Sequence, residues 1–240
     1  MSIYDAKELY LEGKLVKELL LNGRRVYSQG ILPQGYTELE YIESAKLQYI
    51  KTGVKVNPNY TVSVDFMISQ ATTVWDTIFG TRNGNNARFT ARFANATNAK
   101  LGIQRSRTKT TSYTSNGSYD DSSVLKNKVM DKFHNVTLAK HNYYFDGNLK
   151  KAFASTAKTE LTQYDYELYL FGLNNQGKAN DLGYFKIKHC TIQDEEDNFV
   201  RDFIPCKNPD GVVGMYDQIN GKFYGSSSGT AFEPGPAKEA

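Results

Sequence analysis

The sequence predicts an all-β chain folded as two packed antiparallel sheets, and three observations carry that reading. Seventeen tyrosines, thirteen phenylalanines and nineteen glycines in 240 residues suit many short strands joined by tight turns better than they suit helices. Apolar residues alternate in "VSVDFMIS" (62–69) and "ARFTARF" (87–93), the period at which successive side chains fall on opposite faces of a strand. Turn signals separate such runs at short intervals, and no stretch beyond Gly35 reads as a helix, which is the pattern of a sandwich or barrel.

Taken in order, the first thirty residues stand apart. "LYLEGKLV" (9–16) and "LLLNGRRV" (19–26) repeat one phrase: apolar run, turn glycine, basic residue, apolar residue. Asn22–Gly23 between such runs is a hairpin signal, since both central positions of a type I′ turn need positive φ. Residues 1–30 are therefore expected to form a small three-stranded meander. The competing amphipathic helix would place Leu9, Val16 and Leu20 on one face but carries Gly13 in its interior. "QGILPQG" (29–35) is a Gly- and Pro-rich boundary. The main domain is expected to span 31–236, with 237–240 as a tail.

Within it, Val62, Val64, Phe66 and Ile68 face one way, and Ser63, Asp65, Met67 and Ser69 the other. Phe89, Ala91 and Phe93 oppose Arg88, Thr90 and Arg92 in the same manner. "RSRTKTTSYTSNGSYDDSS" (105–123) is polar and nearly free of aliphatics, so it is expected to be an exposed strand pair or surface loop and the least ordered part. "HNVTLAKHNYYFDGNLKKAF" (134–153) reads as strand, turn, strand, Asp146–Gly147 hairpin, strand. "YELYLFG" and "GYFKIKHCTI" supply two more strands.

The two ends of this domain carry a resemblance. "LPQGYTELEYIESAKLQYIKTG" (32–53) resembles the opening of concanavalin A-like, laminin G-like jelly-roll modules found in bacteriophage tail proteins and in proteins of gut Gram-positive bacteria. It departs from that opening at Ala45–Lys46, where a Ser-x-Gly turn is usual. "VRDFIPCKNPDGVVGMYDQINGKFYGSSSGTAFEPG" (200–235) resembles the closing phrase of the same modules. "VKELLLNGRRVYS" more weakly resembles β-segments that begin phage tail and baseplate proteins. The resemblance implies a two-sheet antiparallel jelly roll. It further implies a structural and recognition role in a phage tail or baseplate, with a cell-surface glycan and other tail proteins as partners. Made in a host cytoplasm, such a chain ends in the virion, and it can form a homo-oligomer.

In a sandwich the first and last strands must pair or leave an edge open. Phe203, Ile204, Val212, Val213, Tyr216, Phe223, Tyr224 and Phe232 are therefore expected to be the apolar side of strands that close the sheets. Gly211, Gly214, Gly221, Gly225 and Gly229 are expected at reversals.

Composition narrows the function. A formal charge of +3 argues against a nucleic-acid binder. Neither a secretory signal pattern nor an apolar run near eighteen residues is visible, so no membrane partner is expected. Cys190 and Cys206 are too few for a disulfide scaffold and are expected to be buried free thiols. The three histidines show no metal-ligand spacing around them, and no cofactor is expected.

An enzyme on this fold would need paired carboxyls about 5–5.5 Å apart for retaining glycoside hydrolysis. The nearest match is Glu38 and Glu40, which share a strand face but point to solvent, with Leu39 and Tyr41 inward. Four consecutive acids in "QDEEDN" (193–198) diverge in a turn and suit solvent better than calcium. His189 and Cys190 fall on opposite strand faces. The expectation is no enzyme. A glycan-cleaving activity on the same fold and a ligand-free structural part are the alternatives.

One charge feature is not bland. Between Ala71 and Ser115, seven bases face the single acid Asp76, a local excess of six on a chain whose total is three. If 87–93 and 101–107 are neighbouring strands, Arg88, Arg92 and Arg105 would form a basic strip, suited to anionic glycans. Trp75, the only tryptophan, could stack on a sugar ring. Arg88, Arg92, Arg105 and Trp75 are the candidate ligand-binding residues.

Overall fold

A computed structural model describes residues 32–83, 87–106, 118–153 and 163–239, together with the backbone of four strand segments within 10–28. Those four are β1 (Tyr10–Leu11), β2 (Lys14–Leu15), β3 (Glu18–Leu21) and β4 (Arg24–Ser28). They pair as two separate antiparallel hairpins, β1 with β2 and β3 with β4. The expected three-stranded meander is thus corrected to two hairpins, because each copy of the repeated phrase closes on itself.

The strands that follow begin with β5 (Thr37–Glu38), β6 (Ile42–Glu43), β7 (Ile50–Lys51), β8 (Thr61–Ile68), β9 (Asp76–Asn83), β10 (Ala87–Phe93) and β11 (Lys100–Arg105). Next come β12 (Ser118–Leu125), β13 (His134–Ala139), β14 (Asn142–Phe145), β15 (Asn148–Ala152), β16 (Tyr169–Leu170), β17 (Leu173–Asn175) and β18 (Lys178–Asn180). The last are β19 (Phe185–Gln193), β20 (Phe199–Lys207), β21 (Val213–Asp217), β22 (Lys222–Gly225) and β23 (Glu233–Pro234). A single 3₁₀ turn, Lys126–Lys128, is the one helical element among the described residues. No helix there is long and apolar enough to cross a membrane.

Two sheets result. One runs β12-β11-β10-β9-β16-β7, with β17 and β18 attached beside β9. The other runs β15-β14-β13-β8-β19-β20-β21-β22, with β5, β6 and β23 attached. Every pairing is antiparallel except the short one between β17 and β9. The chain is therefore an all-β, two-sheet antiparallel sandwich.

Period-two alternation put the core where it is. β8 buries Val62, Val64, Phe66 and Ile68, and β10 buries Phe89, Ala91 and Phe93, all essentially inaccessible to solvent. Phe66 meets Phe93 across the sheets at 6.4 Å and Phe185 at 6.1 Å within its own sheet. Fully burying side chains of this size is worth about 1.5–3 kcal/mol each. The expected Asp146–Gly147 hairpin is present, with φ of 49° and 73° at its two central residues, as a type I′ turn needs. Residues 107–117 of the polar stretch lie outside the described residues, and its remainder supplies most of β12.

The closing phrase seals the sandwich. β23 pairs with β6, β20 pairs with β5, and Leu39 bridges Ala237. Phe203, Ile204, Val213, Tyr216 and Phe232 are buried as expected, whereas Val212 is 45% exposed. Val212 sits in the turn just before β21, where the pleat has not yet begun. Gly214 is likewise no reversal but a point of close approach within β21, where a Cβ would lie 2.3 Å from the Tyr224 carbonyl oxygen. Cys190 and Cys206 are free and buried.

Candidate functional site

The bulged pairing of β9 with β10 shapes the site. Arg88 lies opposite Arg82, then the register shifts between Ala91 and Arg92. Arg88 and Arg92 share the face of β10 turned away from the core, as alternation requires. β11 does neighbour β10, but Arg105 follows Leu101 and Ile103 onto the inward face. It is fully buried there. Its Nε donates to the Pro58 carbonyl at 2.6 Å, and an Nη lies 3.0 Å from His141 Nδ1, so it ties the two sheets together.

Arg88 is only 7% exposed and reaches the Gln104 side chain at 3.4 Å. Arg82 donates to Asn175 at 2.8 Å. The expected open strip of Arg88, Arg92 and Arg105 is therefore corrected: the pleat splits it, and two of its three members are inside the fold.

Arg92 and Trp75 do come together. The guanidinium lies 4.4 Å from the centre of the indole and 3.5 Å from a carboxylate oxygen of Asp181. Trp75 remains 38% exposed. A cation over an indole face in a partly desolvated setting is worth roughly 0.5–2 kcal/mol and fixes the ring's orientation. Trp75 and Asp181 line a cleft of about 460 Å³, together with Lys46, Thr73, Asn95 and Asn180. That volume falls within the range of small-molecule sites, and the lining mixes the indole and the aliphatic Val74, Ala179 and Leu182 with amides, a hydroxyl and both signs of charge.

The loop bearing Trp75 is held from behind. Lys126, on the 3₁₀ turn, is fully buried and ion-pairs with the equally buried Asp76. Its ammonium also donates to the Thr72 and Val74 carbonyls, so one cation gathers the backbone just before the tryptophan and the carboxylate just after it. Burial pushes the Asp76 carboxyl above its ordinary range, while Lys126, by hydrogen bond and charge, pulls it back. From the other side, the Thr77 amide donates to the Asp181 carbonyl at 2.9 Å.

The remaining polar candidates are accounted for by other contacts. Glu38 pairs with Lys238 at 2.6 Å, and Glu40 is exposed. In the acidic turn between β19 and β20, Asp194 accepts the amides of Glu196 and Asn198, and Lys140 pairs with Asp197 at 2.8 Å. No three His, Cys, Asp or Glu side chains converge as a metal site among the described residues. His189 contacts Asp202 at 2.8 Å on one face while Cys190 is buried on the other. Burial pushes the Cys206 thiol up to about 12 and the Cys190 thiol well above its usual value, which keeps both protonated at neutral pH.

Of the four residues expected from sequence, Trp75 and Arg92 build one site, and Arg88 and Arg105 stand elsewhere. Lys46, Asn95, Asn180, Asp181 and Lys126 were missed. The only sequence signal among them is Lys46, the departure from a Ser-x-Gly turn.

The fold and site define a two-sheet β-sandwich carrying a cleft of mixed polar and apolar lining with one exposed tryptophan. No protein-family model matches the chain, nor does any curated protein sequence. Among solved structures, a point mutant of NanB sialidase from Streptococcus pneumoniae is similar at 13% identity and a TM-score of 0.43. The alignment covers 85% of this chain and 38% of that one, so the chain spans well under half of that protein's length.

Proposed function

We propose that the protein is a non-catalytic recognition module that binds a cell-surface glycan in the Trp75 cleft. By the resemblance of residues 32–53 and 200–235, it is a jelly roll of the kind found in phage tails. The observation that supports this reading is the single exposed indole, backed by Arg92 and ringed by Thr73, Asn95, Asn180 and Asp181. An indole face packs against the C–H face of a pyranose, and the surrounding amides and hydroxyl pair with sugar hydroxyls. Affinity at one such site is weak and is raised by repetition in an assembly.

The test is retention on immobilised bacterial surface polysaccharides, compared between the native chain and Trp75→Ala. The substitution is expected to lower affinity about tenfold or more, given an aromatic contact of roughly 1–1.5 kcal/mol and lost burial besides. Losing the Arg92 contact alone should lower the melting temperature by about 1–8 °C, so retention is compared well below the unfolding range of both proteins. Equal retention of both proteins, or retention of neither, contradicts the reading; the latter favours a structural part without a ligand.

A further inference from the structure

The cleft contains a backbone conformation that its residue does not favour. Lys46 sits at φ 65°, in the left-handed region uncommon for residues other than glycine, which it shares with Lys140 and five other described side-chain-bearing residues. What holds it there is explicit. The Lys46 amide donates to Ser44 Oγ at 3.2 Å, and Gln48 Oε1 accepts from the Ala45 amide at 2.9 Å. Gln48 is itself anchored by donating to the Ala231 carbonyl at 2.6 Å, in the closing phrase of the domain. Glycine would fit this turn without strain, and the resembled opening carries glycine there. A strained residue held by its surroundings and facing a cleft argues for a role of its side chain.

The charges around it point to that role. Arg92 is engaged by Asp181 and the indole, and Lys126 by Asp76 and two carbonyls. Among the described residues, no carboxylate stands within ion-pair distance of Lys46. Against the burial that raises the Asp76 carboxyl, the Lys46 charge helps to lower it, and Lys46 lines the site that also holds Trp75.

We infer that Lys46 selects glycans whose sugar carries an acid group, a carboxylate or a phosphate, with the indole taking the ring and the ammonium taking the anion. This rests on the glycan-binding reading above and narrows it to acidic polymers. A point charge on a flexible stem tolerates either anion, whereas a guanidinium fork would demand planar geometry.

The experiment uses the full chain and two pairs of probes. One is a set of uronic-acid polysaccharides, each against its carboxyl-reduced counterpart. The other is a phosphate-bearing wall polymer before and after dephosphorylation. The native chain should prefer the charged member of at least one pair by about tenfold at low salt, and the responding pair identifies the anion. Lys46→Gly should erase that preference while melting no lower than the native chain, since glycine suits the turn. Lys46→Arg should keep it. Equal binding to charged and neutral members, or a preference that survives Lys46→Gly, overturns the inference. If that equal binding still depends on Trp75, the glycan reading stands without it. Absence of binding to any of these probes overturns the inference, while retention on bacterial surface polysaccharides decides the glycan reading separately.

Discussion

Replacing Lys126 by methionine tests how the tryptophan loop is supported. The substitution keeps the length of the side chain and removes its charge from a position with no solvent access. Three acceptors lose their partner: the Asp76 carboxylate and the carbonyls of Thr72 and Val74. Removing one member of a buried ion pair costs about 3–5 kcal/mol, most of it from the orphaned charge. For a chain of this size each kcal/mol shifts the melting temperature by roughly 2–4 °C, so a loss of about 6–20 °C is expected at neutral pH.

The pH dependence gives a sharper readout. Burial already raises the Asp76 carboxyl, and losing Lys126 removes the main influence that lowers it. A carboxyl whose pKa is raised by folding contributes stability below its unfolded value and loses it as pH rises through the folded one. The deficit of Lys126→Met should therefore shrink as the pH is lowered towards 4, and the double variant with Asp76→Asn should recover part of it at pH 7. Thermal unfolding followed by circular dichroism from pH 4 to 8 measures both. A deficit below about 2 °C at pH 7, or one independent of pH, refutes the argument that an uncompensated charge is the cause.

Two further outcomes follow from other contacts. Gly214→Ala should destabilise the closing strands by about 2–3 kcal/mol, because the new methyl meets a backbone carbonyl that cannot turn aside. A lower denaturant midpoint with an unchanged slope would show it, and native-like stability would not be compatible with the packing described. At His189, burial opposes the charged form, but the hydrogen bond to Asp202 and the charges of Asp202 and Asp65 outweigh it and raise the pKa above 6.5. Its contribution to stability is thus complete below 6.5 and fades as pH rises through the folded value. NMR titration should place His189 above 6.5 in the native chain and lower in Asp202→Asn; an unshifted value in the native chain contradicts this.

The strands were legible wherever one face is apolar and the other polar. Residues 62–68 alternate with Met67 as the one apolar side chain on the outer face, and the hairpin at Asp146–Gly147 needs no tertiary information. Arg105 shows what a charge count overlooks. It follows Leu101 and Ile103 at even spacing, so the pleat already directs it inward, and only the sum of nearby bases placed it on a surface strip. The contact of Trp75 with Arg92 was out of reach. It depends on a register shift at Ala91 and on the fold of loop 71–75, neither of which leaves a periodic trace. Lys126 was equally hidden, because its acceptors, the Thr72 and Val74 carbonyls, belong to a loop far away in the chain.

The seam between Leu39–Glu43 and Glu233–Ala237 has a mechanical consequence. These segments run antiparallel, so Leu39, towards the start of one, lies beside Ala237, at the end of the other. Tension drawn through the two ends of the domain therefore falls on one bond at a time and peels the segments apart from that side. A parallel pair would have shared the load across all its bonds in shear; here resistance to pulling is set by the outermost contact alone.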